Sequence, residues 1–302
     1  MNQSASAPGP RRPRPDAVTW IGHATAVIDV AGVRIVTDPL LGRHAGVLRR
    51  RGEAPRLEDW HGVDAVLVSH LHHDHAHVGS LRVTAAPILT APANAHWIAD
   101  HGLEAHGLIP GQWWELGAHG VRVRSVMAVH GHRPMPHRPN AATGFIIEAP
   151  TAAGDTQRIW FAGDTEPYPA MADLPELAGG PIDLALVPIG GWGPRLSGGH
   201  MDPVQAAHVC EVVGARRAIP IHWGTLHAPL GHHLPRGWMD RGGDAFAAAI
   251  RREAPGCDAV VLSPGERFKG PGRFYAGPAV AHGRVFVGNI NNRIVALQAD
   301  TG

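Results

Sequence analysis

Residues 69–79 read "SHLHHDHAHVG": five histidines and one aspartate in eleven positions. Within them His70, His72, Asp74 and His75 form the pattern H-x-H-x-D-H. Imidazoles and carboxylates at this density are donors for divalent metals. Residues i and i+2 of an extended segment point to the same side, so His70 and His72 can converge on one ion. The chain then turns, and Asp74 and His75 can face a second ion nearby. Two cations a few ångströms apart repel, and a carboxylate offsets that repulsion as a neutral imidazole cannot. Chance would produce the pattern only ~0.006 times in a chain of this composition, so a merely histidine-rich polar loop is the weaker reading. His73 and His77 fall outside the pattern. His73 is expected to point away, and His77 to belong to the following turn.

A site for two ions needs further donors, and in layered α/β folds loops converge beyond the ends of strands. Three candidates stand there. His130 follows "VRVRSVMAV", with His132 as its competitor. Asp164 follows "RIWFAG", against the alternative of a turn acid; His222 follows "RAIPI", against that of a satisfied core histidine. His23, in "WIGHAT", ends the first strand and can enter the site as a catalytic group or make a structural hydrogen bond. His200, in "GGHMDP", precedes a helix N-terminus, where anionic groups bind, and is a candidate proton donor and substrate contact. Arg195, in "GWGPRLSGG", can pair with phosphate in bidentate fashion. Trp192 can wall a pocket, whereas Trp113 and Trp114 suit core packing.

"SHLHHDH", "AVH", "FAGDTE" and "IPIHWGT" occur in the order and approximate spacing of the metallo-β-lactamase superfamily, which residues 17 to about 268 resemble. The finer match is to the branch of the ascorbate-phosphate lactonases and the N-acyl-phosphatidylethanolamine phospholipase D enzymes. "TWIGHATAVIDVAGVRIVTDPL", "WWELG", "LVPIGGWGPR" and "GGHMDPVQAAHV" carry it. The resemblance implies a four-layer αβ/βα sandwich, two sheets face to face with helices outside. It implies two divalent metal ions: His70, His72 and His130 would hold one, Asp74, His75 and His222 the other, and Asp164 would bridge them. His200 matches a substrate-contacting histidine of the phospholipase branch. The imidazole-rich set suits zinc, with manganese or iron(II) as alternatives. A water-derived hydroxide between the ions would attack phosphorus or a carbonyl carbon, and the ions would stabilise the developing oxyanion. Asp74 would orient that nucleophile.

Strands must carry these residues. "AVTWIG" (17–22), "TAVIDV" (25–30) and "VRIVTD" (33–38) read as short strands, the latter two joined by Ala31-Gly32 as a hairpin. "DAVLVS" (64–69) is a continuous apolar strand that His70 ends. Further strands are expected over 121–129, 143–149, 158–163, 183–189, 217–223 and 259–266. Helices are expected over 92–102, 202–214 and 244–254. Asp202 caps the second of these, with Pro203 at its first turn and Gly214 past its end. Residues 43–62 read as a long solvated loop with a basic run. The expected organisation is a disordered tail over 1–16, a hydrolase domain over 17–269 and a terminal β-hairpin over 270–302. That last segment, two strands joined by Asn291-Asn292, resembles one repeat of a quinoprotein-type propeller. A single repeat cannot close a propeller. A truncated or fused reading frame and an added terminal hairpin both account for it.

Composition narrows the function classes. The chain has 302 residues, 44% hydrophobic and 18% charged, the balance of a globular protein. A formal net charge of +1 supplies no field for nucleic acid or anionic lipid, so no nucleic-acid partner is expected. No apolar run reaches the ~18 residues of a membrane span. Pro13 and Pro15 replace the apolar stretch a twin-arginine signal requires, so a cytoplasmic location is expected. Cys210 and Cys257 are the only cysteines, too few for a disulfide framework, and suit small buried apolar positions. The leading expectation is a dinuclear hydrolase of a phosphodiester, with a small-molecule or lipid-like phosphoester as partner. A lactonase or other C–O hydrolase for a small phosphorylated or acidic substrate is the alternative. A non-catalytic metal-binding module is the reading from a different class, against which the retention of both Asp74 and Asp164 argues.

Overall fold

The computed structural model describes residues 15–117, 119–131, 135–233 and 235–269, and the backbone of three strands within 279–298. The chain divides into two compact units, Met1–Pro271 and Gly272–Gly302.

The first unit holds two seven-stranded sheets. One runs Arg267–Lys269, Ala17–Gly22, Thr25–Val30, Val33–Thr37, Ala65–Leu67, Ile88–Thr90, Ala105–Gly107. The other runs Asp258–Ala259, Arg217–Ile221, Leu184–Pro188, Thr156–Phe161, Thr143–Pro150, Val121–Met127, Trp113–Leu116. Three apolar clusters show why the sheets stack. Ile28, Ile35 and Leu67 of the first sheet meet Phe145, Phe161 and Ile219 of the second. On the outer face of the second sheet, Trp160 and Val187 pack under Val209 of the helix Pro203–Val212 and Phe246 of the helix Gly242–Glu253. On the outer face of the first, Val27, Val36 and Val66 pack under Leu81 of the helix Val78–Thr84 and Ile98 of the helix Pro92–Ala99. Three apolar interfaces make four layers, as expected. Strands buried on both faces explain the near-continuous apolar runs in the sequence.

The helix Pro203–Val212 begins as its sequence requires. Asp202 Oδ1 accepts from the N–H groups of Val204 and Gln205, both at 2.8 Å, while Gln205 Oε1 accepts from Asp202 N–H at 3.0 Å. This reciprocal cap occupies the exposed donors of the first turn.

Several local expectations are corrected. Residues 43–62 are not one loop. They hold the strands His44–Ala45 and Leu48–Arg50 and the helical turn Leu57–Trp60, and the first two join Leu226–His227 in a small third sheet. The basic run concealed this: Arg50 is buried, with Nη1 donating to Ile21 O at 2.9 Å and Nη2 to Leu40 O at 2.5 Å. The strand Ala65–Leu67 stops before His70, so the histidines sit on an irregular turn. Residues 259–266 are mostly not strand; the edge strand that closes the first sheet is Arg267–Lys269.

In the second unit, Ala279–Ala281, Arg284–Gly288 and Ile294–Gln298 form an antiparallel three-stranded sheet. What read as one strand before Asn291-Asn292 is two, with His282-Gly283 between them in sequence. Residues 1–14, Asn291-Asn292 and His132 lie outside the described residues. Cys210 and Cys257 are both buried and free.

Candidate metal centre

One edge of the sandwich gathers the chemistry. His23, Asp38, residues 69–75, His130, Asp164 and His222 all lie just beyond the C-terminal ends of strands. Strand order is what brings them together. The segments Ala65–Leu67 and Thr143–Pro150 belong to different sheets, yet Ser69 O, just beyond the first, accepts from Thr143 N–H of the second at 3.0 Å.

Two groups of donors form. In one, His70, His72 and His130 lie close enough to share an ion. In the other, Asp74, His75 and His222 do so together with His23. Asp164 stands between the two groups. Its Oδ2 lies 3.1 Å from His222 Nε2, 3.2 Å from His75 Nε2 and 3.4 Å from His200 Nε2, and it also groups with His130. Thus all seven sequence-predicted ligands converge.

The far side of each ring is tied down. His75 Nδ1 donates to Asp38 Oδ2 at 2.7 Å, His222 Nδ1 to Gly190 O at 2.9 Å, and His130 Nδ1 to Gly199 O at 2.6 Å. Ser69 Oγ lies 3.0 Å from His70 Nδ1. Such partners aim the opposite nitrogen inward and set its tautomer. The consequence is a direct test of fit. With both Nδ1 atoms donating, the Nε2 atoms of His75 and His222 face each other at 3.0 Å. His130 Nε2 and His72 Nδ1 face each other at 3.1 Å. In the His75–His222 pair, two lone pairs at such a distance require a positive species between them, a proton or a metal ion. His70 Nε2 and Asp164 Oδ1 are buried without a hydrogen-bond partner. Orphaned donor atoms of this kind, aimed into a cluster of imidazole and carboxylate, suit divalent metals.

Electrostatics agree. Burial alone would raise Asp74 and Asp164, but the histidines around them hold both carboxyls well below the usual range. Burial opposes charge on His75, and Asp164, Asp74 and Asp38 outweigh it, lifting that imidazole well above its ordinary value. Burial drives His70 well below the ordinary value, and His130 down to about 4. His23 falls to about 3, through burial and then the neighbouring His222.

The backbone is strained at the same place. His23, Asp38 and His222 adopt φ of 55°, 33° and 63°, a region non-glycine residues avoid. Each such residue costs roughly 1–3 kcal/mol, supported here by the packed strand ends around it.

His73 is exposed, and His77 caps the next helix by accepting from Ser80 N–H, as the sequence suggested. His200 is half-buried at the cluster's edge, with Arg195, Ser197 and Trp192 around a cavity of about 290 Å³. A larger, mainly apolar groove of about 550 Å³ opens past His72 and Asp74, lined by Val47, Leu48, Met135 and Trp192. Trp192 is shared by both, as the sequence suggested, while Trp113 and Trp114 pack partly buried against the cores. Another cavity, about 640 Å³ between Trp20, Trp223 and the loop at Arg51–Arg56, touches no residue of the cluster. His23 is fully buried, and its Nε2 lies 2.9 Å from Asp74 Oδ2 within the second donor group.

Asp38 and Ser69 were not singled out in the sequence. Asp38 Oδ1 accepts from Ser69 N–H at 2.7 Å and its Oδ2 from Ser69 Oγ at 2.6 Å, besides His75. The available signal was an acid at the end of a buried strand, the same one that marks Asp164.

Residues 33–223 match the beta-lactamase superfamily domain family. The chain belongs to this superfamily, among its metal-dependent hydrolases. It is 31% identical over 236 residues to N-acyl-phosphatidylethanolamine-hydrolyzing phospholipase D 1 of Caenorhabditis elegans, covering 70% of this chain and 64% of that enzyme. It is 32% identical over 212 residues to a UPF0173 metal-dependent hydrolase of Thermococcus onnurineus, covering 69% of this chain and 84% of the relative. Among solved structures, the metallo hydrolase Igni18 of Ignicoccus hospitalis superposes with a TM-score of 0.64 at 22% identity, over 84% of this chain and 97% of Igni18. CmlA, a diiron β-hydroxylase of Streptomyces venezuelae, superposes with a TM-score of 0.62 at 15% identity, over 85% of this chain and 54% of CmlA. These last two bear on fold alone, and a shared fold does not select a reaction.

Proposed function

We propose that the protein is a dinuclear metal hydrolase that cleaves a phosphodiester. His70, His72 and His130 would hold one divalent ion, Asp74, His75 and His222 the other, and Asp164 would touch both. Zinc suits the donor set best. Bound there, the two ions would supply a water ionised near neutral pH. The observation that carries this reading is Asp164, whose Oδ2 stands 3.1 Å from His222 and 3.2 Å from His75 of one donor group, and which also groups with His130 of the other. A carboxylate common to both donor groups has no evident role at a single-ion site.

The surroundings support the choice of substrate. Arg195 is exposed and lines the smaller cavity together with His200, and a guanidinium there suits a phosphate or carboxylate. His200 is lifted above its ordinary value because Asp164 and the Ser197 and Gly198 carbonyls outweigh its burial, which suits it to donate a proton to a leaving oxygen. The apolar groove on the other side of Trp192 can take the hydrocarbon part of the ester. This lipid-like division accords with the N-acyl-phosphatidylethanolamine for which the phospholipase D relative is named. Exposed Val47 and Trp192 extend the groove outward, although the loop "RLSGGH" is itself short and glycine-rich.

A second reading, a lactonase or other C–O hydrolase of a small acidic substrate, is favoured by Arg195, which binds carboxylate as readily as phosphate. Metal analysis with assays on bis(p-nitrophenyl) phosphate and a lactone panel tests both. Two ions per chain and phosphodiester turnover, abolished in Asp74→Ala, are expected. Lactone opening alone would select the second reading. Two bound ions without any turnover would point to a metal-binding module.

A further inference from the structure

His23 has no direct part in that chemistry, yet its ring meets the cluster. Its Nε2 lies 2.9 Å from Asp74 Oδ2. Its ring centroid lies 4.0 Å from that of His222. Its backbone is fastened on three sides. His23 N–H donates to Thr225 Oγ1 at 2.8 Å, and its carbonyl accepts from His222 N–H and from the Trp20 indole, both at 2.8 Å. One residue therefore grips the side chain of Asp74, from the first sheet, and the backbone of His222, from the second.

The tautomer follows from burial. His23 Nδ1 is buried without a partner. A buried N–H without an acceptor costs roughly 1–3 kcal/mol, so the single proton of the neutral ring belongs on Nε2, where Asp74 accepts it. That ring nitrogen then carries no free lone pair for an ion, although it stands within the donor group. Asp74 itself sits on an irregular turn, and its Oδ2 is 3.8 Å from both His75 Nε2 and His222 Nε2.

We infer that His23 is a positioning residue: a neutral, buried donor that fixes the Asp74 carboxylate and registers it against His222, so setting the affinity of one of the two metal positions. This rests on the reading that Asp74, His75 and His222 hold an ion. His23→Leu and His23→Gln share the cost of the left-handed backbone, but only glutamine restores an N–H at similar reach. Zinc titration by calorimetry into metal-free protein should show one binding step weakened about 10–100-fold in His23→Leu and largely restored in His23→Gln, the other step unchanged. Circular dichroism checks the fold of each. Should the leucine variant not fold, nitrogen-15 NMR of the histidine rings in the wild type at neutral pH decides independently. An Nε2–H tautomer at His23 is expected, and an Nδ1–H tautomer or a charged ring overturns the assignment. Wild-type affinities in both variants, or equal loss in both, also overturn it. A wild type binding fewer than two ions instead refutes the dinuclear reading.

Discussion

Replacing Asp38 by asparagine removes a charge without removing volume. The native carboxylate accepts three bonds: from Ser69 N–H at 2.7 Å, from Ser69 Oγ at 2.6 Å, and from His75 Nδ1 at 2.7 Å. An amide can serve only some of them. If its oxygen stays on Ser69 N–H, its NH2 faces His75 Nδ1. The proton of His75 must then move to Nε2, where it covers the lone pair needed for an ion. If the amide flips, NH2 meets Ser69 N–H, and two buried donors oppose each other at a cost of roughly 1–3 kcal/mol. Relief from burying a charge offsets part of this. Either way the position holding His75 weakens, by about 10–100-fold for loss of such an outer partner. That corresponds to about 1.4–2.8 kcal/mol, close to the worth of one charge-assisted hydrogen bond. Zinc titration by calorimetry in buffers of different ionisation enthalpy measures affinity and proton release together. Native protein should release the His75 proton on binding, and Asp38→Asn should bind one ion more weakly with altered release. Unchanged affinity for both ions would refute the role given to Asp38.

Other expectations follow from the same geometry. A Cβ on Gly163, at φ 63°, would stand 2.5 Å from Ser69 Cβ, so Gly163→Ala should destabilise by about 2–5 kcal/mol in denaturant titrations and weaken metal binding through Ser69. Asp29 and Arg34 form a buried two-bond pair at 2.7 and 2.9 Å remote from the cluster; Asp29→Asn should cost roughly 3–5 kcal/mol while the folded fraction keeps its metal content by elemental analysis. Arg195→Ala should raise KM for an anionic phosphodiester about tenfold, the effect of losing one bond to a charged group of ~1.4 kcal/mol, with kcat little changed in steady-state assays. Burial pushes the Tyr168 phenol up to about 12 while its hydroxyl donates to Met127 O. The unfolded phenol ionises near 10, so this stabilisation is complete below about pH 10 and is lost as pH rises towards 12. Tyr168→Phe should flatten that alkaline fall in thermal melts.

Much of the fold was legible because strands buried on both faces leave apolar runs, and because Asp202-Pro203 and Gly214 mark a helix by local chemistry alone. The misses have physical causes. Arg50 looked like a surface charge because nothing near it in sequence shows the carbonyls of Ile21 and Leu40 that receive it. The edge strand Arg267–Lys269 is too short to show a pattern and exists only because Ala17–Gly22 offers it a ladder. Asp38 escaped notice because one aspartate after a strand is unremarkable until His75 is known to lie against it.

The sequence by itself determined the donors: their types, the turn that bunches four of them, and the strands that end in His130, Asp164 and His222. Those are local matters, set by side-chain chemistry and by periodicity over a few residues. Tertiary structure alone decided that Asp164 stands between two donor groups, that Asp38 and carbonyls aim the rings, and that His23 supports Asp74 from behind. Each of these depends on which strand lies beside which and on how the two sheets stack. Contacts between residues 51 or 147 positions apart, as for His23 with Asp74 and His75 with His222, leave no local trace in the chain.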